Sequence, residues 1–269
     1  MGNSCIEYYI NKIPEIYQKI YRHPEYGNTS RICDDRAEII IKTIKAFQKF
    51  TGKKDIKVLD IGCAQGYYCF ILKELGCIVE GIDYNINNIE LCNYLAKENE
   101  YEIKFQHIKF SKEYAENLND NDFDIILALN IFHHIAYENG FDYTKETINI
   151  LSKKCNILLT ELALKEEPLY WNVNLPDDYR KFINDFLFYR EIGFFSNHLS
   201  EIKRPLCFCS NKYVLCNWNI YEFKSMKNCS FVHSIVYNLK KLFISDNIII
   251  KEIHYNGNPD FKFIIEEAK

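Results

Sequence analysis

The chain has 269 residues, with 33 Lys and Arg against 37 Asp and Glu for a formal charge of −4. With no basic run longer than a few residues, it lacks the electrostatic footprint of a nucleic-acid binder, and no apolar stretch reaches the length of a membrane span. Eleven Cys, an odd number without framework spacing and several at apolar positions such as Cys63, Cys69 and Cys155, point to reduced core thiols, no disulfides and a cytoplasmic protein with no leader.

Residues 34–50 read as an amphipathic helix: Asp34 and Asp35 cap its start, Ile40, Ile44 and Phe47 recur at helical spacing, and Gly52 follows its end. From residue 56 the text alternates, with strands at 56–61, 77–83, 102–107, 123–130 and 155–161 and helices at 67–75, 88–97 and near 143–152. Parallel neighbours need crossover connections, and right-handed crossovers put helices on both faces. The fold class is therefore α/β, a doubly wound, mostly parallel sheet.

After Glu161 the rhythm breaks. Residues 165–204 are rich in Glu, Tyr, Phe and Arg, carry one long helical pattern around 180–192, and read as an inserted lid. Segments 204–211 and 213–218 read as two strands that close the sheet as an antiparallel edge. The tail 231–269 holds a basic helical stretch and an apolar strand at 247–253. The expected division is an N-terminal helical cap over 1–53, a core over 54–218 with its lid at 165–204, and a C-terminal extension over 219–269 without an assigned role. Cys207, Cys209, Cys216 and Cys229 offer no Cys-x-x-Cys pair, so no metal is expected.

Strand residues 58–61 run straight into Gly62-Cys63-Ala64-Gln65-Gly66 and a helix, so a glycine turn opens at the carboxyl end of the first strand, where open α/β sheets bind ligands. The spacing Asp60-x-Gly62-x-x-x-Gly66 is not the Gly-x-Gly-x-x-Gly that brings backbone N–H groups to a pyrophosphate, which disfavours a dinucleotide. Gly62 and Gly66 leave bare backbone for an amino-acid moiety, while Asp83, ending the next strand, puts a carboxylate where a ribose diol would sit. Four of the ten glycines fall between residues 62 and 81. The bland reading, glycines that only turn the chain, leaves the placement of Asp83 without a reason. The pair of signals fits an adenosyl amino acid.

Residues 58–66 and 79–84 resemble the first two motifs of the class I (Rossmann-like) S-adenosylmethionine-dependent methyltransferases. A closer resemblance runs through 13–17 (Ile-Pro-Glu-Ile-Tyr), 23–26 (His-Pro-Glu-Tyr), 132–135 (Phe-His-His-Ile), 161–171, 176–178, 188–190 and 200–211. It is to the methyltransferase half of the bifunctional methyltransferase-kinases that terminate O-antigen polymannose chains. After Trp218 it fades, and no His-x-Asp loop or Asp-Phe-Gly is present, so kinase activity is not expected. The resemblance implies S-adenosyl-L-methionine as cofactor and Tyr17, Arg36, Asp60, Gly62, Ala64, Gly66, Asp83, Tyr84, Lys109, Phe110 and Leu129 as its neighbours. Tyr17, Arg36, Gly62 and Leu129 would meet the methionine part, Asp83 the ribose, and Tyr84, Lys109 and Phe110 the adenine, although Ile108-Lys109-Phe110 departs from the family's Gly-Arg-Ile. Arg36 could take the methionyl carboxylate bidentately. The implied reaction is methylation of a phosphate, or of a phosphoramidate in capsule pathways, within surface polysaccharide biosynthesis and in association with glycan-modifying enzymes.

Methyl transfer to oxygen needs an in-line approach and a dry pocket, and a phosphate oxygen is already anionic, so it needs orientation more than a base. Lys165, Arg180, Arg190 and Arg204, in or just after the insertion, are the candidate acceptor cations, and Tyr170 and Trp171 candidate walls. His133 and His134 follow the strand ending at Asn130, and either could be a catalytic base or a phosphate donor. Each of these residues also has a plain structural reading, surface charge or packing. Two other functions stay open: a small-molecule methyltransferase acting on an amine or hydroxyl such as an ethanolamine substituent, with a His or Glu161 as base, and a silent cofactor-binding scaffold.

Overall fold

The computed structural model describes residues 3–222, 248–255 and 261–267. Two helices, α1 (Asn3–Ile10) and α2 (Asp34–Thr51), bracket a largely irregular N-terminal strap. In α2 the acidic first turn meets the positive end of the helix dipole, and Gly52, left-handed at φ 70°, closes its N–H on the Gln48 carbonyl. Its buried stripe holds Ala37, Ile40, Ile44 and Phe47, at three- and four-residue spacing.

The alternating region folds as β1 (Lys57–Ile61), α3 (Tyr67–Glu74), β2 (Ile78–Asp83), α4 (Ile86–Glu98), β3 (Lys104–His107), α5 (Lys112–Asn117), β4 (Phe123–Leu129), α6 (Phe132–Asn139), α7 (Phe141–Lys154) and β5 (Cys155–Glu161). Sequence reading misses α5 and α6, which are short; α5 is marked only by its capping Ser111. β4 is buried at every position, as a strand covered on both faces must be.

Among the described residues the further strands are β6 (Phe188–Phe195), β7 (Arg204–Ser210), β8 (Tyr213–Cys216), β9 (Asn219–Glu222), β10 (Ile248–Tyr255) and β11 (Phe261–Glu267). The main sheet runs β3-β2-β1-β4-β5-β7-β6-β11-β10. Strands β3 to β5 are parallel, and β7 is antiparallel to both β5 and β6. The helical pattern expected around 180–192 is corrected: Tyr179–Phe182 is a short 3-10 turn and Phe188–Phe195 is strand β6. The aromatic run Phe188, Tyr189, Phe194, Phe195 favours extended backbone, and β7 supplies its pairing partner. The expected second strand of the 204–218 pair, β8, leaves the main sheet to form a hairpin with β9. The apolar strand near 247–253 is β10, whereas the basic stretch after 231 and Cys229 lie outside the described residues.

Alternation along β4 sends Ile125 and Leu127 into one core layer with Phe47, Phe70 and Leu91, and Ile126 and Ala128 into the other with Ile148, Phe182 and Cys207. Among the described residues, no helix is long and apolar enough to cross a membrane, and no group of three or more His, Cys, Asp or Glu could hold a metal ion. The carboxyl ends of β1, β2, β4 and β5 share one rim, which also receives the start of β7.

Candidate functional site

The glycine loop is dictated by crowding on both sides. Gly66 sits at φ 76°, and a Cβ there would lie 2.9 Å from Cys92 Sγ and 3.1 Å from Phe70 Cε2. Gly62, at φ 73°, is bare on the side where a Cβ would come 3.2 Å from Ile131 Cδ1. Between them Ala64 adopts φ 47°, which aims its N–H at Asp83 Oδ2 2.9 Å away. Asp83 Oδ1 also accepts from Asn85 N at 2.8 Å and Asn88 Nδ2 at 3.3 Å. A carboxylate has about four acceptor positions, so with three taken Asp83 has room for about one ribose hydroxyl, not two. Burial raises its pKa in spite of those three bonds.

A polar relay missed by the sequence reading ties this loop to the N-terminal strap. Gln65 Oε1 accepts from Gln18 N at 2.9 Å and Gln65 Nε2 donates to Asn88 Oδ1 at 2.8 Å, while Gln18 Oε1 accepts from Tyr67 N at 3.1 Å. Asp60 turns beneath the loop instead of into the site. It is buried against Cys69, whose Sγ is 3.4 Å from Oδ2, and burial pushes its carboxyl well above the usual range.

In front of the loop lies a cavity of about 680 Å³ lined by Gly62, Asp83, Tyr84, Lys109, Phe110, His134 and Tyr170, together with Ile108, Ile131 and Tyr143. Seven of the sequence-predicted residues thus meet at one place. Phe110 is buried and Tyr84 exposed, an apolar slot with the Asp83 carboxylate in its wall. The Lys109 ammonium is 2.8 Å from Glu138, which also lines the cavity. A carboxylate beside bare backbone and an aromatic slot suits an adenosine carrying an amino-acid tail.

Beyond the loop the rim is charged and buried. Arg36 is fully buried, but its fork is engaged by Glu161, Nε to Oε2 at 2.6 Å and Nη2 to Oε1 at 2.8 Å, with a further bond from Nη2 to the Ser196 carbonyl at 2.7 Å. The edge expected to grip a ligand carboxylate is held here by the chain's own Glu161. Arg31 joins the pair at 2.6 Å from Glu161 Oε2, and its other nitrogen donates to the Tyr17 hydroxyl at 3.2 Å. With both oxygens bound to guanidinium groups, Glu161 is not placed to serve as a base.

Arg204 is likewise buried and forked onto Glu167, Nε to Oε1 at 2.7 Å and Nη2 to Oε2, while Nη1 donates to Asn130 Oδ1 at 2.9 Å. Asn130 follows β4 and Leu129 in a left-handed conformation, φ 61°. The two histidines part company. His133 is buried with its ring 4.6 Å from that of Trp171, whereas His134 lines the cavity. Burial holds both below the usual imidazole range, and for His133 the neighbouring His134, Arg204 and Arg31 push the same way, keeping it neutral.

Three expected acceptor cations are elsewhere engaged. Lys165 Nζ donates to the Asn172 and Val173 carbonyls at 2.7 and 3.3 Å, tying down the turn Tyr170–Asn174. Arg180, its side chain 44% exposed, pairs with Asp178 two positions away. Arg190 on β6 reaches the Leu215 carbonyl at 3.4 Å, toward β8. Arg31, Asn130 and Gln65 were not singled out from the sequence. Only Asn130, ending a strand on the ligand rim, had a signal that could have found it. His23, implied by resemblance alone, stands between Glu25 and Glu98 at 2.8 and 2.7 Å.

A methyltransferase-domain family model matches residues 52–178. The O-antigen chain terminator bifunctional methyltransferase/kinase WbdD of Escherichia coli is 34% identical over 251 residues, 92% of this chain and 35% of that protein. A solved structure of the bifunctional kinase-methyltransferase WbdD superposes with a TM-score of 0.79 at 36% identity, over 84% of this chain and 50% of that one. The chain carries an S-adenosylmethionine-dependent methyltransferase domain. This methyltransferase is also 36% identical to the ubiquinone biosynthesis O-methyltransferase of Pelagibacter ubique, over 43% of the chain and 46% of that protein. TehB of Haemophilus influenzae, at 21% identity and a TM-score of 0.52, shares the fold. The methyltransferase spans about a third of the length of the WbdD proteins it matches.

Proposed function

We propose that this methyltransferase methylates an anionic oxygen, that of a phosphate or phosphoramidate group, in surface polysaccharide (capsule or O-antigen) biosynthesis. The observation that carries the reading is the charge at the end of β5: Arg31, Arg36 and Arg204 are buried against only two buried glutamates, Glu161 and Glu167. A third carboxylate, Asp35, 3.2 Å from Arg36, is half-exposed and screened by solvent, so the buried part of the rim favours an anion over an ammonium. The amine reading also loses Glu161 as a base, since both of its oxygens are already bound.

Bound S-adenosylmethionine supplies an electrophilic methyl group, which an acceptor oxygen takes while the sulfur keeps the bonding pair. The chain's residues then have three tasks. Asp83 holds a ribose hydroxyl, Gly62 leaves room for the amino-acid tail, and the arginine-rich end orients the acceptor. An oxyanion needs no proton removed at neutral pH, which suits histidines held neutral by burial. The role of WbdD as an O-antigen chain terminator supports the polysaccharide setting, with a glycan-phosphorylating enzyme as partner. Nine free cysteines among the described residues, eight of them buried, suit a reducing compartment such as the cytoplasm.

Incubation with cofactor and a panel of phosphorylated sugars, phosphoramidates and ethanolamine compounds tests the reading by mass spectrometry. A one-methyl gain confined to phosphorus oxyanions is expected, and a gain confined to amines refutes it. Cofactor binding with no transfer to any acceptor would point to a scaffold.

A further inference from the structure

We infer that Asn130, Trp171 and His133 cradle the non-reacting oxygens of the acceptor, with Glu167 and Arg204 behind them as positioning residues. The inference rests on the oxyanion reading above and names the groups that would realise it.

Asn130 Nδ2, Trp171 Nε1 and His133 Nδ1 are buried polar atoms without a hydrogen-bond partner among the described residues. Buried polar groups are paired in the great majority of cases, so isolated orphans call for an explanation and a cluster of them for a shared one. These three are a cluster. The Arg204 guanidinium lies 5.6 Å from the Trp171 ring centre and bonds to Asn130, and the Trp171 and His133 rings are 4.6 Å apart. His134 and Tyr170, each in ring contact with Trp171, line the adenosine cavity, so the cluster adjoins the place from which the methyl group is delivered.

The chemistry of two of the three orphans is one-sided, and the neutral His133 matches them in the tautomer that carries its proton on Nδ1. An indole N–H can only donate. An amide could face either way, but Arg204 donates to Asn130 Oδ1, which leaves Nδ2 as the buried edge without a partner. The fork of Arg204 on Glu167 fixes that arrangement, and Glu167 Oε1 is itself anchored by Leu164 N at 2.9 Å. Donors without matching acceptors fit an oxygen-rich anion and reject an ammonium group, which would add donors to donors. Such a cradle selects its acceptor by hydrogen-bond geometry, while Arg204, paired with Glu167, contributes field more than a salt bridge.

The chain has two tryptophans, Trp171 and Trp218, so the indole resonance of Trp171 in 15N-labelled protein is assignable with Trp171→Phe. Protein saturated with S-adenosylhomocysteine is titrated with methyl phosphate and, separately, with ethanolamine. Methyl phosphate should move the Trp171 indole signal and ethanolamine should not. Asn130→Asp, which turns a donor edge into a carboxylate, should weaken methyl phosphate binding by about tenfold or more, and Trp171→Phe by about tenfold, the scale of a hydrogen bond to a charged group. Glu167→Gln should weaken it less and raise acceptor KM more than it lowers kcat. S-adenosylhomocysteine affinity should survive in all three, which also reports that they fold. If methyl phosphate releases heat but leaves the indole signal unmoved, and the variants bind it like the parent, the cradle is wrong while the oxyanion reading stands. If only ethanolamine binds, the oxyanion reading falls and the cradle with it, and an indole signal that responds to neither probe up to its solubility limit also counts against the cradle.

Discussion

At the carboxyl ends of β1 and β2 the site is assembled from near neighbours: Ala64 N reaches Asp83 across 19 positions, within a loop shaped by two glycines. At the ends of β4 and β5 it is assembled from side chains far apart in the chain, Arg31 with Glu161 across 130 positions, Arg36 with Glu161 across 125, and Arg204 with Asn130 across 74. The first half is backbone geometry that a cofactor can lean on, and the second is a buried ionic network. The contrast shows that one catalytic rim can combine a part written as a local motif with a part that exists only once the sheet has formed. It also separates what mutations should do, since damage to the network falls on the fold and damage to the loop falls on the ligand.

The largest effect should come from Glu161→Ala, which leaves two buried guanidiniums without their carboxylate and should cost about 3–5 kcal/mol of stability. Denaturant melts measure this; an unshifted midpoint would mean that the network does not hold the acceptor end together. Asp83→Ala should act at the other end, weakening S-adenosylhomocysteine by about 1.5–3 kcal/mol in calorimetry, the range for hydrogen bonds to a charged group. A dissociation constant equal to the parent's would remove Asp83 from the ribose.

Two histidines also answer pH differently, one at the network end and one in the N-terminal strap. His133 is kept neutral in the fold, so the unfolded chain binds the additional proton; its contribution is full above about 6.5 and is lost as pH falls below that value. For His23 burial disfavours the charge, but Glu98 and Glu25 outweigh it and the pKa is raised. Its contribution is full below about 6.5 and fades as pH rises through the higher folded value. Melting temperature against pH for His133→Gln and His23→Gln should therefore lose opposite slopes, and slopes changing in the same direction would contradict the assignment. The smallest effect belongs to Arg180→Ala: its exposed pair with Asp178 should be worth less than about 1 kcal/mol, and acceptor KM should stay put. A large rise in that KM would return Arg180 to the acceptor site.

The same contrast explains what the sequence could tell. Strand and helix alternation from residue 56 to 161 is a strong periodic signal, and five strands fall where the pattern predicts within a residue or two. Gly62 and Asp83 are recognisable because the chemistry of a turn and of a strand end restricts residue type locally. The misassigned helix at 180–192 is a tertiary override, since β6 exists because β7 pairs with it. Arg36 was read for its charge, but its partner, Glu161, lies across the sheet and no local spacing announces it. Lys165 and Arg180 are candidates for their charge and their place in the insertion, yet one binds backbone carbonyls and the other a surface aspartate.

A crystal structure with S-adenosylhomocysteine and inorganic phosphate bound together would test the two-ended site in a single measurement. The ribose should meet Asp83 and the adenine should lie by Phe110, with phosphate oxygens against Asn130 and Trp171 near Arg204. Adenosine away from the Gly62 loop, or the anion seated on Lys165 or Arg180 instead, would contradict it.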